Sequence, residues 1–262
     1  MPEGDTVWLT ARRLHSALAG RTLTVSDLRV PQLATIDLRG DTVTEVLPRG
    51  KHLLTRLSSD RTLHSHLKMD GSWYVTRASV RSRQHPAHMI RVLLGNDEWL
   101  ATGYRIHDLQ LVPTADESGV VGHLGPDLLG PDWDADEALR RLLSEPERPI
   151  AEALLDQRNL AGIGNLYKNE VLFIDRVNPW TPVGAVPEPA RLIDTARRLL
   201  VANRKHPEQS TTGLLGRGRT HWVYERAGQP CLRCRAPIRR AEQGAPPRQR
   251  STYWCPACQP GT

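Results

Sequence analysis

Cysteine is absent from the first 230 residues of this 262-residue chain, phenylalanine occurs once, and aromatic residues make up only 5% of it. No apolar run approaches the roughly 18–20 residues that a membrane span requires. Nothing at the N-terminus has the basic, apolar and small-residue pattern of a secretory leader. No internal repeat or low-complexity tract occurs. A membrane-embedded protein, a secreted disulfide scaffold and a repeat array are therefore not expected. The expectation is a soluble, cytoplasmic protein in a reducing compartment, with cores rich in Leu and Val.

What cysteine there is falls in the last 32 residues, as Cys231-Leu-Arg-Cys234 and Cys255-Pro-Ala-Cys258, two pairs separated by twenty residues. A Cys-x-x-Cys turn delivers two sulfurs to one ion, and a second such turn completes a tetrahedron. Four thiolates leave no open position for water or substrate, so the spacing predicts one structural Zn2+ and no catalytic metal. Two disulfides are the alternative. Charge is uneven in the same place: the chain carries +6, and residues 231–262 hold six arginines against one glutamate. A small, metal-stapled unit bearing Arg233, Arg235, Arg239, Arg240, Arg248 and Arg250 suits a polyanion, because guanidinium forks match phosphate oxygens. A merely solvated charged face remains the alternative.

Along the chain, Asp5 is expected to cap a helix in which Val7, Ala11, Leu14 and Leu18 recur at helical spacing, with Gly20 stopping it. Short β-rich pieces follow at 22–30, 42–47, 52–57, 62–67, 72–75, 88–94, 99–102 and 109–112, separated by turn signals such as Pro48-Arg49-Gly50 and Asp70-Gly71. They predict a β-sandwich or barrel. Residues 114–133, rich in Gly, Pro and Asp, read as a linker. Helices are then expected at 134–143, with Asp134 and Glu137 as a capping box, and at 150–157, 165–173 and 189–203. A flexible segment at 204–221 and a short strand at 223–225 lead into the ribbon. Four parts result: 1–113, a linker 114–133, 134–222 and 223–262.

The turn Asn159-Leu160-Ala161-Gly162-Ile163-Gly164-Asn165 feeds a helix N-terminus, where backbone amides suit a phosphate. Gly162 and Gly164 permit close approach, and Asn165 adds a side-chain donor. Taken alone, Gly-x-Gly is more often just a helix-hairpin turn. A dinucleotide-binding fingerprint does not apply, because the turn follows a helix and lacks the third glycine. At the other end, removal of Met1 would make Pro2 an N-terminal secondary amine, nucleophilic near neutral pH and followed directly by the Glu3 carboxylate.

Pro2-Glu3-Gly4, Pro48-Arg49-Gly50-Lys51-His52, His66-Leu67-Lys68-Met69-Asp70-Gly71-Ser72, Leu155-Asp156-Gln157 with Ala161-Gly162-Ile163-Gly164-Asn165-Leu166-Tyr167, and the Cys-x-x-Cys tail occur in that order. Together, over residues 2 to about 259, they closely resemble the formamidopyrimidine-DNA glycosylase and endonuclease VIII family. The resemblance implies an α+β fold in three parts: an N-terminal helix on a catalytic β-sandwich, a helix-two-turn-helix DNA-binding domain, and a zinc ribbon. It implies a monomeric base-excision enzyme acting on damaged DNA, cytoplasmic or nucleoid-associated if bacterial, with no membrane partner and no organic cofactor.

The resemblance puts the nucleophile at Pro2, the acid/base at Glu3, and at Lys51 an ammonium on the phosphate that also keeps Pro2 neutral. It assigns DNA contacts to Gly164, Asn165 and Arg250. The gap left by a flipped base would be filled by Met69, with Arg105 and Ile106 as further fillers. Ile106 stands where formamidopyrimidine-type enzymes carry an aromatic residue, and Thr6 where the family generally has glutamate. The start Met1-Pro2-Glu3-Gly4-Asp5 and the ribbon's Tyr253-Trp254-Cys255-Pro256 resemble the endonuclease VIII branch, and 204–221 is short for the loop that caps 8-oxoguanine in the other, so oxidised pyrimidines are the expected substrates. Two other classes compete: a non-catalytic zinc-ribbon nucleic-acid-binding protein, and a zinc-stabilised interaction protein. The residue types at positions 2, 3 and 51 favour the enzyme.

Overall fold

Val7, Ala11, Leu14 and Leu18 do share one stripe. In the computed structural model, which describes residues 2–80, 86–216 and 218–261, they form the buried face of α1 (Gly4–Leu18). Its N-cap is Glu3, not Asp5. Glu3 has extended backbone and its carbonyl accepts the Val7 N–H at 3.0 Å, while Asp5 lies in the first turn, where a carboxylate complements the helix dipole.

The chain divides into two units, Met1–His123 and Leu124–Thr262. In the first, the β-rich pieces become β1 (Val25–Leu28), β2 (Val43–Arg49), β3 (His52–Leu57), β4 (Arg61–His66), β5 (Ser72–Arg77), β6 (Ile90–Gly95), β7 (Trp99–Tyr104) and β8 (Asp108–Pro113). They make two four-stranded antiparallel sheets, ordered β1-β6-β7-β5 and β2-β3-β4-β8, so the architecture is a sandwich. Side chains alternate across each sheet. Leu53, Leu57, Leu63, Leu67 and Leu109 enter one core with Val92, Leu94, Ala101 and the stripe of α1. The pairing of β3, β4 and β8 then sends His52, His64, His66 and Asp108 to the opposite face of their sheet.

The residues expected to form a linker are packed instead. Those up to Val121 include α2 (Ser118–Val121) and are pinned to the sandwich through Glu117, whose carboxylate takes the Arg56 guanidinium at 2.6 and 2.7 Å and the Thr62 hydroxyl at 2.6 Å. From Leu124 on they join the second unit, where Gly125 donates to the Gln157 carbonyl at 2.9 Å and Leu128 to that of Ala161 at 3.1 Å. Only glycine fits at 125, because a Cβ would lie 2.4 Å from the Arg158 carbonyl oxygen.

The second unit holds α3 (Ala135–Leu142), α4 (Ile150–Leu155), α5 (Asn165–Ile174) and α6 (Pro189–Asn203), followed by the hairpin of β9 (Arg239–Gln243) and β10 (Arg250–Trp254). Asp134 caps α3 by accepting the Glu137 N–H at 2.9 Å, but Glu137 turns its own carboxylate to Arg140 and Arg141, leaving half a capping box. Residues 223–225 form no strand. The N–H groups of Val223 and Tyr224 go to the Glu170 carboxylate at 2.8 Å each, and Glu225 sits at φ +56°, so no ladder can continue. The expected flexible segment is likewise tied, with Thr211 donating to the Thr220 carbonyl and the Thr212 hydroxyl to that of Arg219.

Candidate active site and nucleic-acid interface

Pro2 is half-buried immediately before the N-cap, and Glu3 is wholly buried, at 0% exposure. Lys51 is half-buried in the tight turn between β2 and β3, which Gly50 enters at φ +56°, a left-handed conformation that favours glycine. Helix α1 packs on β2, the strand that feeds this turn. Both predicted catalytic elements thus belong to one unit.

Met69 is 68% exposed, at the tip of the β4–β5 connection. That loop is closed by the Gly71 N–H on the Leu67 carbonyl at 2.8 Å, and a Cβ at Gly71 would meet the same oxygen at 2.5 Å. Arg105 follows β7 at φ +51° and pairs with Asp70 at 3.2 Å, so the loops carrying Met69 and Arg105 are linked. Ile106 corrects the expectation. Its side chain is completely buried in the sandwich core and is not available to enter DNA.

Next to Lys51, the outer face of the second sheet carries a group of histidines that sequence patterning did not single out. His52 Nδ1 lies 2.7 Å from His64 Nε2, and the His52 ring meets His66 edge-on at 4.8 Å and His123 at 6.1 Å. Burial, then the charges of neighbouring histidines, pushes His52 down to about 3. Burial, then the charge of Lys68, brings His66 to about 4, and His64 is lowered mainly by burial. Burial alone would raise the Asp108 carboxyl, but Lys68, 2.8 Å away, holds it below its usual range. His52 and His66 are therefore neutral at cellular pH. The only hint in sequence was that His52, His64 and His66 sit at even positions of strands whose odd positions include Leu53, Leu57 and Leu63.

In the second unit the glycine turn is built as the sequence suggests. Gly162 takes φ +103°, and Gln157 clamps the turn by donating to the Ile163 carbonyl at 2.9 Å and accepting the Gly162 N–H at 3.1 Å. Gly164 is the N-cap of α5 with extended backbone, and Asn165 is its first residue. The Asn165 amide donates to the Ser251 carbonyl at 2.9 Å, so the structure brings Asn165 beside the residue that follows Arg250. An amide nitrogen carries two hydrogens, which leaves one for a ligand. Arg250 is exposed at the start of β10, its guanidinium 2.9 Å from the Gln249 carbonyl.

Sequence patterning missed the buried polar face of α5. Lys168 donates to the Thr252 hydroxyl at 2.8 Å, Asn169 accepts the Tyr253 N–H at 2.8 Å, and Glu170 accepts the N–H groups of Trp222, Val223 and Tyr224 and the Thr211 hydroxyl. Three consecutive polar residues, all buried, dock the β-hairpin and the preceding loop on one helix. The chain's single phenylalanine, Phe173, completes the junction, packed with Val223, Ile238, Cys231 and Cys255.

All four cysteines are free, and their sulfurs lie within 4.8 Å of one another. Cys231 and Cys258 are 4.0 Å apart and Cys234 and Cys255 3.4 Å. Tetrahedral zinc with Zn–S near 2.3 Å places sulfurs about 3.8 Å apart. The donor set fits that ion and does not have disulfide geometry.

Three family models cover the chain: the formamidopyrimidine-DNA glycosylase N-terminal domain over residues 1–106, the H2TH domain of the same enzymes over 124–211, and the zinc finger found in FPG and IleRS over 228–261. The chain belongs to the formamidopyrimidine-DNA glycosylase and endonuclease VIII family. Within this family of bifunctional glycosylase/lyases it is 58% identical to the probable endonuclease 8 2 of Streptomyces coelicolor, across 100% of this chain and 95% of that one. It is 46% identical to the DNA-(apurinic or apyrimidinic site) lyase Nei2 of Mycolicibacterium smegmatis, across 99% of both. These relatives support the endonuclease VIII branch. Among solved structures, Lactococcus lactis Fpg in complex with abasic-site DNA superposes with a TM-score of 0.80, at 23% identity and over 99% of this chain and 100% of that one.

Proposed function

We propose that this enzyme removes oxidised pyrimidines from DNA and cuts the strand through a Schiff base on Pro2. The observation that carries the reading is the placement of Pro2 beside the buried Glu3 at the head of α1, a helix packed on the strand leading into the Lys51 turn. With Met1 removed, the Pro2 amine attacks C1′ of the damaged nucleotide, the bond from C1′ to the base breaks, and the base leaves with a proton. Glu3 protonates the sugar ring oxygen as the ring opens, giving the iminium of the opened sugar with Pro2. Elimination of the 3′ and then the 5′ phosphate cuts the strand, and water hydrolyses the iminium to free the amine. Lys51 binds a phosphate and disfavours protonation of Pro2 by like charge.

Gly164, Asn165 and Arg250 are assigned to the DNA backbone, and Met69 with Arg105 to the space left by the flipped base. Cys231, Cys234, Cys255 and Cys258 would hold one Zn2+, which cross-links the ribbon and takes no part in bond-breaking. The enzyme is proposed to act as a cytoplasmic monomer.

The test is incubation with oligonucleotides carrying thymine glycol, 5-hydroxyuracil, 8-oxoguanine or an abasic site, with borohydride present and the N-terminus checked by intact mass. A covalent adduct, formed faster on the pyrimidine lesions than on 8-oxoguanine, is expected. No adduct from a chain that begins at Pro2 would refute the catalytic reading and leave a non-catalytic nucleic-acid-binding protein.

A further inference from the structure

His64 is 2% exposed, its Nε2 lies 2.7 Å from His52 Nδ1, and its own Nδ1 is buried without a hydrogen-bond partner. One proton lies between the rings, and its donor can be assigned. If His52 donated, His64 would carry its hydrogen on Nδ1 as a buried orphan N–H, an arrangement rarer in proteins than an unpaired acceptor. His64 therefore donates from Nε2, and His52, having accepted at Nδ1, bears its hydrogen on Nε2. His66, directly across from His52 in the β3–β4 pairing, is fixed in the same tautomer, because its Nδ1 accepts the Lys68 N–H at 2.9 Å.

The half-buried His52 ring thus keeps one N–H donor for an outside acceptor. Asp108, opposite His66 on the neighbouring strand, takes Lys68 on one carboxylate oxygen at 2.8 Å and the Gln110 amide on the other at 3.4 Å, and makes no hydrogen bond to His52. At His66 the charges of Lys68 and Lys51 stand against the single carboxylate of Asp108, which also reaches His52, so cations outnumber anions around the histidines by one. Neutral imidazole N–H groups add donors there without adding repulsion between cations.

We propose that His52 is a further DNA-backbone contact, a neutral imidazole that donates Nε2–H to a phosphate oxygen beside Lys51, with His64 as the positioning residue that fixes its tautomer. The inference rests on the repair-enzyme reading above. It is tested with the full chain and a duplex carrying a tetrahydrofuran abasic analogue. Imidazole 15N spectra of the wild type should show His52 protonated on Nε2 and that signal shifting when duplex is added, but not with inorganic phosphate alone. His52→Phe should bind about tenfold more weakly or worse, the range for a hydrogen bond to a charged group. The slope of log affinity against log salt should stay the same, because no cation is lost. His52→Gln, which keeps an N–H donor, should recover part of the affinity, and His64→Phe should lose both the His52 tautomer signature and affinity. A His52 signal unmoved by duplex, one moved equally by phosphate, or a His52→Phe protein with wild-type affinity would overturn the inference. Borohydride trapping by the wild type separates the two ideas: trapping with any of these results refutes only the role of His52, whereas failure to trap refutes the catalytic reading.

Discussion

Glu3 does two separable things. Its main-chain carbonyl anchors the first turn of α1 through Val7, and its side chain is buried beside Pro2 in sequence. Glu3→Gln keeps the carbonyl and the side-chain volume and removes only the ionisable group. Stability should change little, while base release falls by about 10²–10⁴-fold, the usual worth of a positioned general acid/base. Comparing melting temperature with release of base from a thymine glycol duplex checks both halves, and unchanged base release would remove Glu3 from the mechanism. The cysteine cluster was legible because each Cys-x-x-Cys pair is a local motif whose chemistry depends on adjacency, whereas the roles proposed for Pro2, Glu3 and Lys51 came from the family resemblance. The burial of Ile106 was not legible. Whether it faces the core or a ligand depends on how Arg105 turns the chain at φ +51° after β7, and that conformation leaves no trace in the pattern of residue types.

At the scale of elements, hydrophobic period placed α1, α6 and most strands, because each presents an apolar stripe or alternation to one core. The helix α5 was expected too, but nothing in the pattern showed that its Lys168, Asn169 and Glu170 are buried against hydrogen-bonding partners that lie about 40 to 85 residues away in sequence. The strand expected at 223–225 failed for the same reason: its backbone donors are claimed by Glu170. Replacing Glu170 by Ala leaves three backbone N–H groups and a hydroxyl without their acceptor, which should cost about 3 kcal/mol or more by urea unfolding and raise hydrogen exchange at 222–224 first. A loss below about 1 kcal/mol would mean that the loop is held by other contacts.

The β3–β4 face adds a pH dependence at the same scale. His52 and His66 titrate near 3 and 4 in the folded protein, lowered chiefly by burial, against about 6.5 unfolded. Below about pH 6.5 the unfolded chain takes up protons that the folded one refuses. The stability contributed by neutral burial is therefore complete above pH 6.5 and is lost as pH falls toward the folded values, by at most about 1.4 kcal/mol per pH unit per group. Urea unfolding of the first unit between pH 7 and 4 should show this slope, and His52→Gln should flatten it. A slope unaffected by that substitution would assign the acid sensitivity to carboxylates such as Glu117, which Arg56 holds below its usual range.

For the whole molecule, the cysteines at one end and the proposed nucleophile at the other imply that metal and chemistry can be separated by experiment. The sandwich core draws on α1 and the eight strands, and the helical core on residues from Leu128 to Leu200; neither includes a cysteine. The third cluster contains Cys231 and Cys255 and joins Phe173 of α5 to the ribbon. Without a cation, burial pushes the Cys258 thiol up to about 12, so the site cannot gather four thiolates on its own. Chelating zinc, or replacing Cys255 by Ser, should open the ribbon and free β10 from Asn165, Lys168 and Asn169, which hold it through Ser251, Thr252 and Tyr253. With the ribbon go the six arginines that supply nearly all the net charge. Affinity for duplex should fall and its salt dependence should become shallower, since fewer cations displace counterions. The unfolding transition of the sandwich should stay where it was, because its core is complete without the metal. Measuring the salt slope and the urea transition on the same zinc-stripped sample decides the point: an unchanged slope would place the DNA-binding charge outside the ribbon, and a lost sandwich transition would make the metal a requirement of the whole fold.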